Sequence, residues 1–327
     1  MLEAVAAYSR DEGIRMQSSS GGLFSILAQQ ILKEGGIVFG AAYDEEFHVK
    51  YLGVDRKEEL HRLRGAKYVE SNLGDVYVKV LENLNQNRKV LFCGLPCHVA
   101  GLIKKIGVHE KLFCVDMVCH GVPPEWVWDA YLKSYQSSKG KITGIFMRDK
   151  RDSWTRSHWR IETTDVVYLE SASENPYMRG FVENLFLRPC CYSCKFKTIS
   201  RKSDLTLGDY WGVSKIHPDY TDDKGISLVL IQSEKGKDLF QEVSQQLCWS
   251  KSDIRQAIRN NPSLILSAVK PISHEKIMRE LKMGHDFISL MEKNLKVSII
   301  SEVIRKIGVR LSKIRVRIRL MRKPLLQ

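Results

Sequence analysis

Cys191-Tyr-Ser-Cys194 is a pair of thiols at the spacing that lets both reach one metal ion or cluster. The second pair of a zinc ribbon is missing. Two further candidates, Cys97 and Cys119, each follow a short apolar run. KVLFC at 89–93 leads into Gly94-Leu-Pro-Cys97, and KLFCVDMV at 111–118 leads into Cys119-His-Gly121. Four thiolates suit either an iron–sulfur cubane or a structural zinc. Cys93 and Cys114 fall inside the apolar runs and read as small core residues, Cys248 reads as packing, and Cys190 is a spare. His98 and His120 stand beside the candidate ligands and read as hydrogen-bonding supports for them. The first fifteen residues carry no basic-then-apolar export signal. A cytoplasmic location follows, where clustered cysteines mean metal or redox chemistry rather than disulfides.

Elements must bring these cysteines together. The run 89–93, a helix from about 98 to 106, and the run 111–118 read as a βαβ unit with parallel neighbouring strands. Cys97 and Cys119 then lie at the carboxyl edge, where open α/β sheets bind ligands. A second site is suggested by Ser18-Ser19-Ser20-Gly21-Gly22, which opens an amphipathic helix over 23–35. Serines cap such a helix, and glycines let a phosphate approach bare N–H groups; an ordinary cap is the plainer reading. Residues 36–43 read as a buried strand and 47–54 as its hairpin partner. Three clusters could complete a nucleotide-like site: Arg64-Gly-Ala-Lys67-Tyr68, then Arg148 and Lys150 with Trp154, then Asp209-Tyr-Trp211 at the end of an alternating strand. They offer cations for phosphates, aromatics for stacking and a carboxylate for a ribose or ring N–H.

The chain has 327 residues, 51 Lys+Arg against 38 Asp+Glu and a net charge of +13. Its 43% hydrophobic content excludes global disorder, and no run is long enough to span a membrane. Nine of the excess positive charges lie in 305–323, which holds no acid, so the remaining 42 basic and 38 acidic residues nearly balance. The tail also carries apolar residues at helical spacing. It reads as a helix docked on the body or as a basic amphipathic segment for an anionic membrane surface or acidic partner, with peripheral placement at an inner membrane face. No aromatic residue interleaves its charges, so nucleic acid is not expected. The expected fold is α/β: a mixed sheet with βαβ units over 1–235, a mainly helical region over 236–300, and the basic tail over 301–327.

Taken in order, SSSGGLFSILA (18–28), GGIVFGAAYD (35–44), LRGAKYV (63–69), VLFCGLPCHVAGL (90–102), VDMVCHGVPP (115–124), FMRDK with Trp154, RPCCYSC (188–194), RKSDLTLGDYWG (201–212) and KGISLVL (224–230) resemble the beta subunit family of coenzyme F-420 hydrogenases and dehydrogenases. The resemblance covers about residues 4 to 232. It implies FAD beside a [4Fe–4S] cluster, with Cys97, Cys119, Cys191 and Cys194 as cluster ligands and Ser20, Gly21, Gly22 and Lys67 against the flavin dinucleotide. The activity implied is an oxidoreductase passing electrons between a ferredoxin-type partner and a small-molecule substrate, in polysaccharide biosynthesis by analogy with bacterial relatives. No cysteine precedes Cys93, so the ferredoxin-like N-terminal segment of many relatives is not expected here. Leu95, His98 and Ala66 depart from the residues usual in that family. Two rival readings are a scaffold held by a four-cysteine zinc and a cofactor-free homologue that binds partners through its tail.

Overall fold

The computed structural model describes residues 2–136, 140–220 and 222–295; the basic segment 305–323 lies outside them. Eleven strands are present among these residues: β1 (Glu3–Ser9), β2 (Ile37–Tyr43), β3 (Val49–Val54), β4 (Val90–Gly94), β5 (Leu112–Met117), β6 (Ile142–Asp149), β7 (His158–Thr163), β8 (Val167–Ser171), β9 (Leu205–Asp209), β10 (Ser227–Ile231) and β11 (Leu247–Ser252). Eight form one sheet in the order β11-β1-β10-β9-β5-β4-β2-β3. The run β9-β5-β4-β2 is parallel, while β3 on one side and β10, β1 and β11 on the other are antiparallel. The mixed α/β architecture is as expected from the sequence.

The βαβ unit is built as read. β4 and β5 pair in parallel, Val90 opposite Leu112 and Gly94 opposite Asp116. Both strands are buried on both faces, which is why their sequences are continuous apolar runs rather than alternating ones. The crossover helix begins earlier than expected, at Pro96, and ends at Ile106. Proline suits the first helical position because its missing N–H would have had no partner there. Cys97 therefore sits in the first helical turn.

β6, β7 and β8 form a separate antiparallel sheet. Its inner face packs on the helices Glu125–Gln136, Pro176–Val182 and Phe287–Leu295 around Trp128, Trp159, Tyr131, Tyr177, Phe186 and Phe287, all fully buried. Trp128 meets Tyr177 edge-on at 5.1 Å and stacks on Tyr131 at 5.4 Å. Residues 236–295 are mainly helical, yet they also supply β11, which pairs with β1 from Ala4 opposite Ser252 to Ser9 opposite Leu247. The sequence reading contained neither β1 nor β11.

Candidate functional site

A cavity of about 540 Å³ opens where the carboxyl ends of β2, β4, β5 and β9 face the end of β6. Ser18, Ser19, Ser20 and Gly22 line one wall, followed by Arg64, Lys67 and Tyr68. Cys93, Cys119 and His120 line the floor, and Arg148, Asp209, Trp211 and the turn 260–263 close the far side. Of the expected flavin contacts, Ser20, Gly22, Lys67, Arg148, Asp209 and Trp211 are therefore at the cavity. Gly21 and Lys150 are not among its lining residues.

The serine–glycine loop is held on several sides. Ser9 N–H donates to Gly21 O (2.7 Å), Gly21 N–H to Ser227 Oγ (3.0 Å), and Ser20 Oγ to Ile226 O (2.9 Å). Gly21 is required by packing: a Cβ there would stand 2.5 Å from Ala7 O and 2.9 Å from Ser227 N. Gly22 has φ +89°, a left-handed conformation that glycine adopts without strain, and caps the helix Leu23–Lys33. The N–H groups of Ser19, Ser20 and Gly22 have no acceptor among the described residues, and Ser19 Oγ is buried without a partner.

Cations surround this loop. Arg64 is held by neutral partners, Nε to Ser25 Oγ (2.9 Å) and Nη1 to Gln17 Oε1 (2.6 Å), and burial lowers its pKa. Lys67 Nζ donates to Arg64 O (2.8 Å), and burial pulls its pKa down to about 8. Arg148 Nη1 pairs with Asp209 Oδ2 (2.6 Å), and the other Asp209 oxygen accepts from Trp154 Nε1 (3.0 Å). Burial is the largest single influence and opposes the Arg148 charge, but Asp209 and Tyr68 together outweigh it and the pKa is raised. Arg148 Nε is buried and unpartnered. Trp154 and Trp211 stack at 4.8 Å and 3°, the Arg148 guanidinium lies 5.4 Å from the Trp211 ring centroid, and Trp211 lines the cavity.

The four candidate ligand cysteines converge. Cys119 follows β5, and Gly121 just beyond it lies so close to the CxxC turn that a Cβ there would be 3.2 Å from Cys191 Cβ. Desolvation raises the thiol pKa values of Cys97 and Cys119 to about 11 and of Cys191 to about 12. Each of these thiols is raised further by another of the four: Cys97 by Cys194 and Cys191, Cys119 by Cys97 and Cys194, and Cys191 by Cys119. Among the described residues, three ligand atoms lie within 4.8 Å of one another at Asp44, Glu46 and His48. His98 shares a hydrogen bond with Tyr51 OH (2.9 Å), and His120 with Asn184 Oδ1 (2.6 Å).

Two residues escaped the sequence reading. Cys93, read as core, lines the cavity and is felt electrostatically by Lys67. Lys197 is buried, with Nζ donating to Ser263 O (3.0 Å) and to the carbonyl of Cys119. Its pKa is lowered by burial, against the pull of Cys119 and Cys194. The only signal for it was a lysine three residues past the CxxC.

Two family models of the "Coenzyme F420 hydrogenase/dehydrogenase, beta subunit" match the chain, the one for its C-terminal part over residues 87–256 and the one for its N-terminal part over 4–77. The chain belongs to the coenzyme F420 hydrogenase/dehydrogenase beta subunit family. That places it among redox proteins that take part in electron transfer. The family's own N-terminal portion is thus present, over residues 4–77. A chain of the F420-reducing [NiFe] hydrogenase complex from Methanosarcina barkeri has a similar fold, with a TM-score of 0.54 and 16% identity over 86% of this chain and 93% of that one. A comparison with curated proteins finds no match.

The residues of this chain fit the groups that the resemblance implies. Unpaired N–H groups, the orphaned Ser19 Oγ and Arg148 Nε, and the Arg64 and Lys67 cations suit a planar ligand bearing phosphates. Four clustered thiols beside the Lys197 ammonium suit an anionic thiolate cluster, whose charge the ammonium offsets.

Proposed function

We propose that this chain is an oxidoreductase that holds FAD in the 540 Å³ cavity and a [4Fe–4S] cluster on Cys97, Cys119, Cys191 and Cys194. The observation that carries the reading is the double membership of Cys119, which lines the cavity and also belongs to the cysteine group. A flavin supplies hydride exchange with a substrate and single-electron exchange with a cluster, which no side chain does. The chain's own contribution is to bind and orient. The Ser18–Gly22 loop with Arg64 and Lys67 holds the diphosphate, Trp211 stacks, and Asp209 fixes Arg148 and Trp154. Val118, Met178, Phe181 and Val182 exclude water beside His120.

The family favours a cluster over the zinc scaffold: its members are redox proteins, and a structural zinc carries no electrons. A ferredoxin-type carrier is the proposed electron partner. A small-molecule intermediate of polysaccharide synthesis is the proposed substrate, on the analogy with bacterial relatives alone. The proposed setting is the cytoplasm, with the basic segment 305–323 drawing the chain to an anionic membrane surface; no described helix is long and apolar enough to cross one.

Anaerobically purified protein should carry iron, acid-labile sulfide and flavin absorption. Cys119→Ser or Cys191→Ser should lose the iron–sulfur absorption. Zinc in place of iron, or cluster content unchanged in both variants, would sink the assignment.

A further inference from the structure

Lys150 reads in the sequence as a cation for the ligand, yet it is only 2% exposed and does not line the cavity. Its Nζ donates to Ser20 O (2.5 Å) and to the carbonyl of Lys224. The segment 222–225 that brings Lys224 there is itself strapped down. Asp222 forms a bidentate pair with the buried Arg15 (2.6 and 2.8 Å), and Arg15 Nε also donates to Gly225 O (3.0 Å). Asp223 accepts from Ser153 Oγ (2.5 Å) and Thr155 N–H (3.0 Å), residues of the loop that leaves β6. Gly225 has φ +98°, and a Cβ there would stand 2.7 Å from both Lys150 Nζ and Ser20 O.

This arrangement acts on the ligand loop through the planarity of its peptides. The C=O and N–H of a trans peptide point in opposite directions. In the Ser20–Gly21 peptide the C=O is taken by Lys150 and the N–H by Ser227 Oγ, so the plane is fixed at both ends. In the next peptide Gly21 O is taken by Ser9 N–H, which directs Gly22 N–H away from β1. Gly22 lines the cavity.

We infer that Lys150 is a positioning residue: clasped between the carbonyls of Ser20 and Lys224, it holds the Ser18–Gly22 backbone in the form that receives the ligand's phosphates, without touching the ligand. This role rests on the reading of the cavity as a flavin dinucleotide site. It ties together the N-terminal loop, the small sheet and the strap before β10, three parts distant in sequence.

The test compares FAD with riboflavin, which lacks the phosphates, in equilibrium binding to the purified full-length protein. Lys150→Met removes two charge-assisted bonds to the loop and should weaken FAD about tenfold or more, leaving riboflavin affinity unchanged. Asp222→Asn, a milder change at the protein surface, should weaken FAD in the same selective way by about threefold, and it carries the comparison if Lys150→Met fails to fold. Equal losses for both ligands, or no loss for either, would overturn the positioning role. Wild-type protein that binds neither ligand would instead overturn the flavin reading.

Discussion

At the residue scale, the site's cations are strongly perturbed, and this has a measurable consequence. Burial first, then Arg15 and Arg148, pulls the Lys150 pKa down to about 7, with Asp209 and Asp222 opposing; burial holds Lys67 at about 8 against the pull of Cys93. The ligand-receiving form of the loop needs Lys150 as the ammonium that clasps Ser20 O, and a phosphate-bearing ligand favours the ammonium form of Lys67, so binding should take up protons. FAD affinity should be greatest below pH 7 and fall as pH rises through 7 to 8; a pH-independent dissociation constant would contradict this. A second residue-scale prediction concerns Arg201, which pairs with Asp116 at 3.1 Å with both side chains at most 3% exposed. Burial raises the Asp116 pKa and Arg201 lowers it. Arg201→Met strands a buried carboxylate and should cost about 3–5 kcal/mol in denaturant unfolding. The double variant with Asp116→Leu should recover most of that loss. The buried Arg201–Asp116 pair was invisible in the sequence, because its two partners are 85 positions apart.

Elements decide which residues can act together. Asp204 shows how one residue can fasten several of them: its Oδ2 accepts from Cys114 N–H (2.8 Å) at β5, and its Oδ1 from Ser233 Oγ (2.7 Å), the cap of the helix Glu234–Val243. Gly236 in that helix lies directly against the Asp204 backbone. The small sheet depends instead on aromatic packing. Trp128→Ala removes the ring at the centre of Tyr131, Trp159 and Tyr177 and should destabilise the protein by about 3–5 kcal/mol in thermal or denaturant unfolding. Continuous apolar runs made β4 and β5 legible, whereas the start of the crossover helix at Pro96 was placed two residues late. β1 and β11 were not legible. The first is alanine-rich, and alanine favours helix over strand; the second, LCWSKS, sits at the sheet edge with a mixed pattern that only pairing with β1 makes a strand.

For the whole molecule, the division of labour follows charge. The nearly balanced body carries the cavity and the cysteines, whereas the tail holds nine basic residues and no acid over 305–323. Truncation after residue 304 should leave iron and flavin content intact and reduce co-sedimentation with anionic vesicles, more so at low salt. Loss of cofactor together with vesicle binding would favour a tail docked on the body. The cavity draws its walls from both sheets and from the turn 260–263 in the helical region. Binding at the cavity therefore couples residues on both sides of position 235.

By itself the sequence determined the redox family, the parallel centre of the sheet and the identity of the candidate ligand and phosphate-loop residues. These are carried by local signals: a CxxC, a serine–glycine helix cap, and uninterrupted apolar strands ending in Pro-Cys and Cys-His. Tertiary structure alone decided which charged groups face the cavity and which support it from behind. Arg148 and Lys150 are two residues apart on one segment, yet one lines the cavity with an unpaired Nε and the other is locked to Ser20. A chain pattern records residue type and spacing. Whether a cation meets ligand or backbone depends on what the fold places opposite it, and here that partner is more than a hundred residues away.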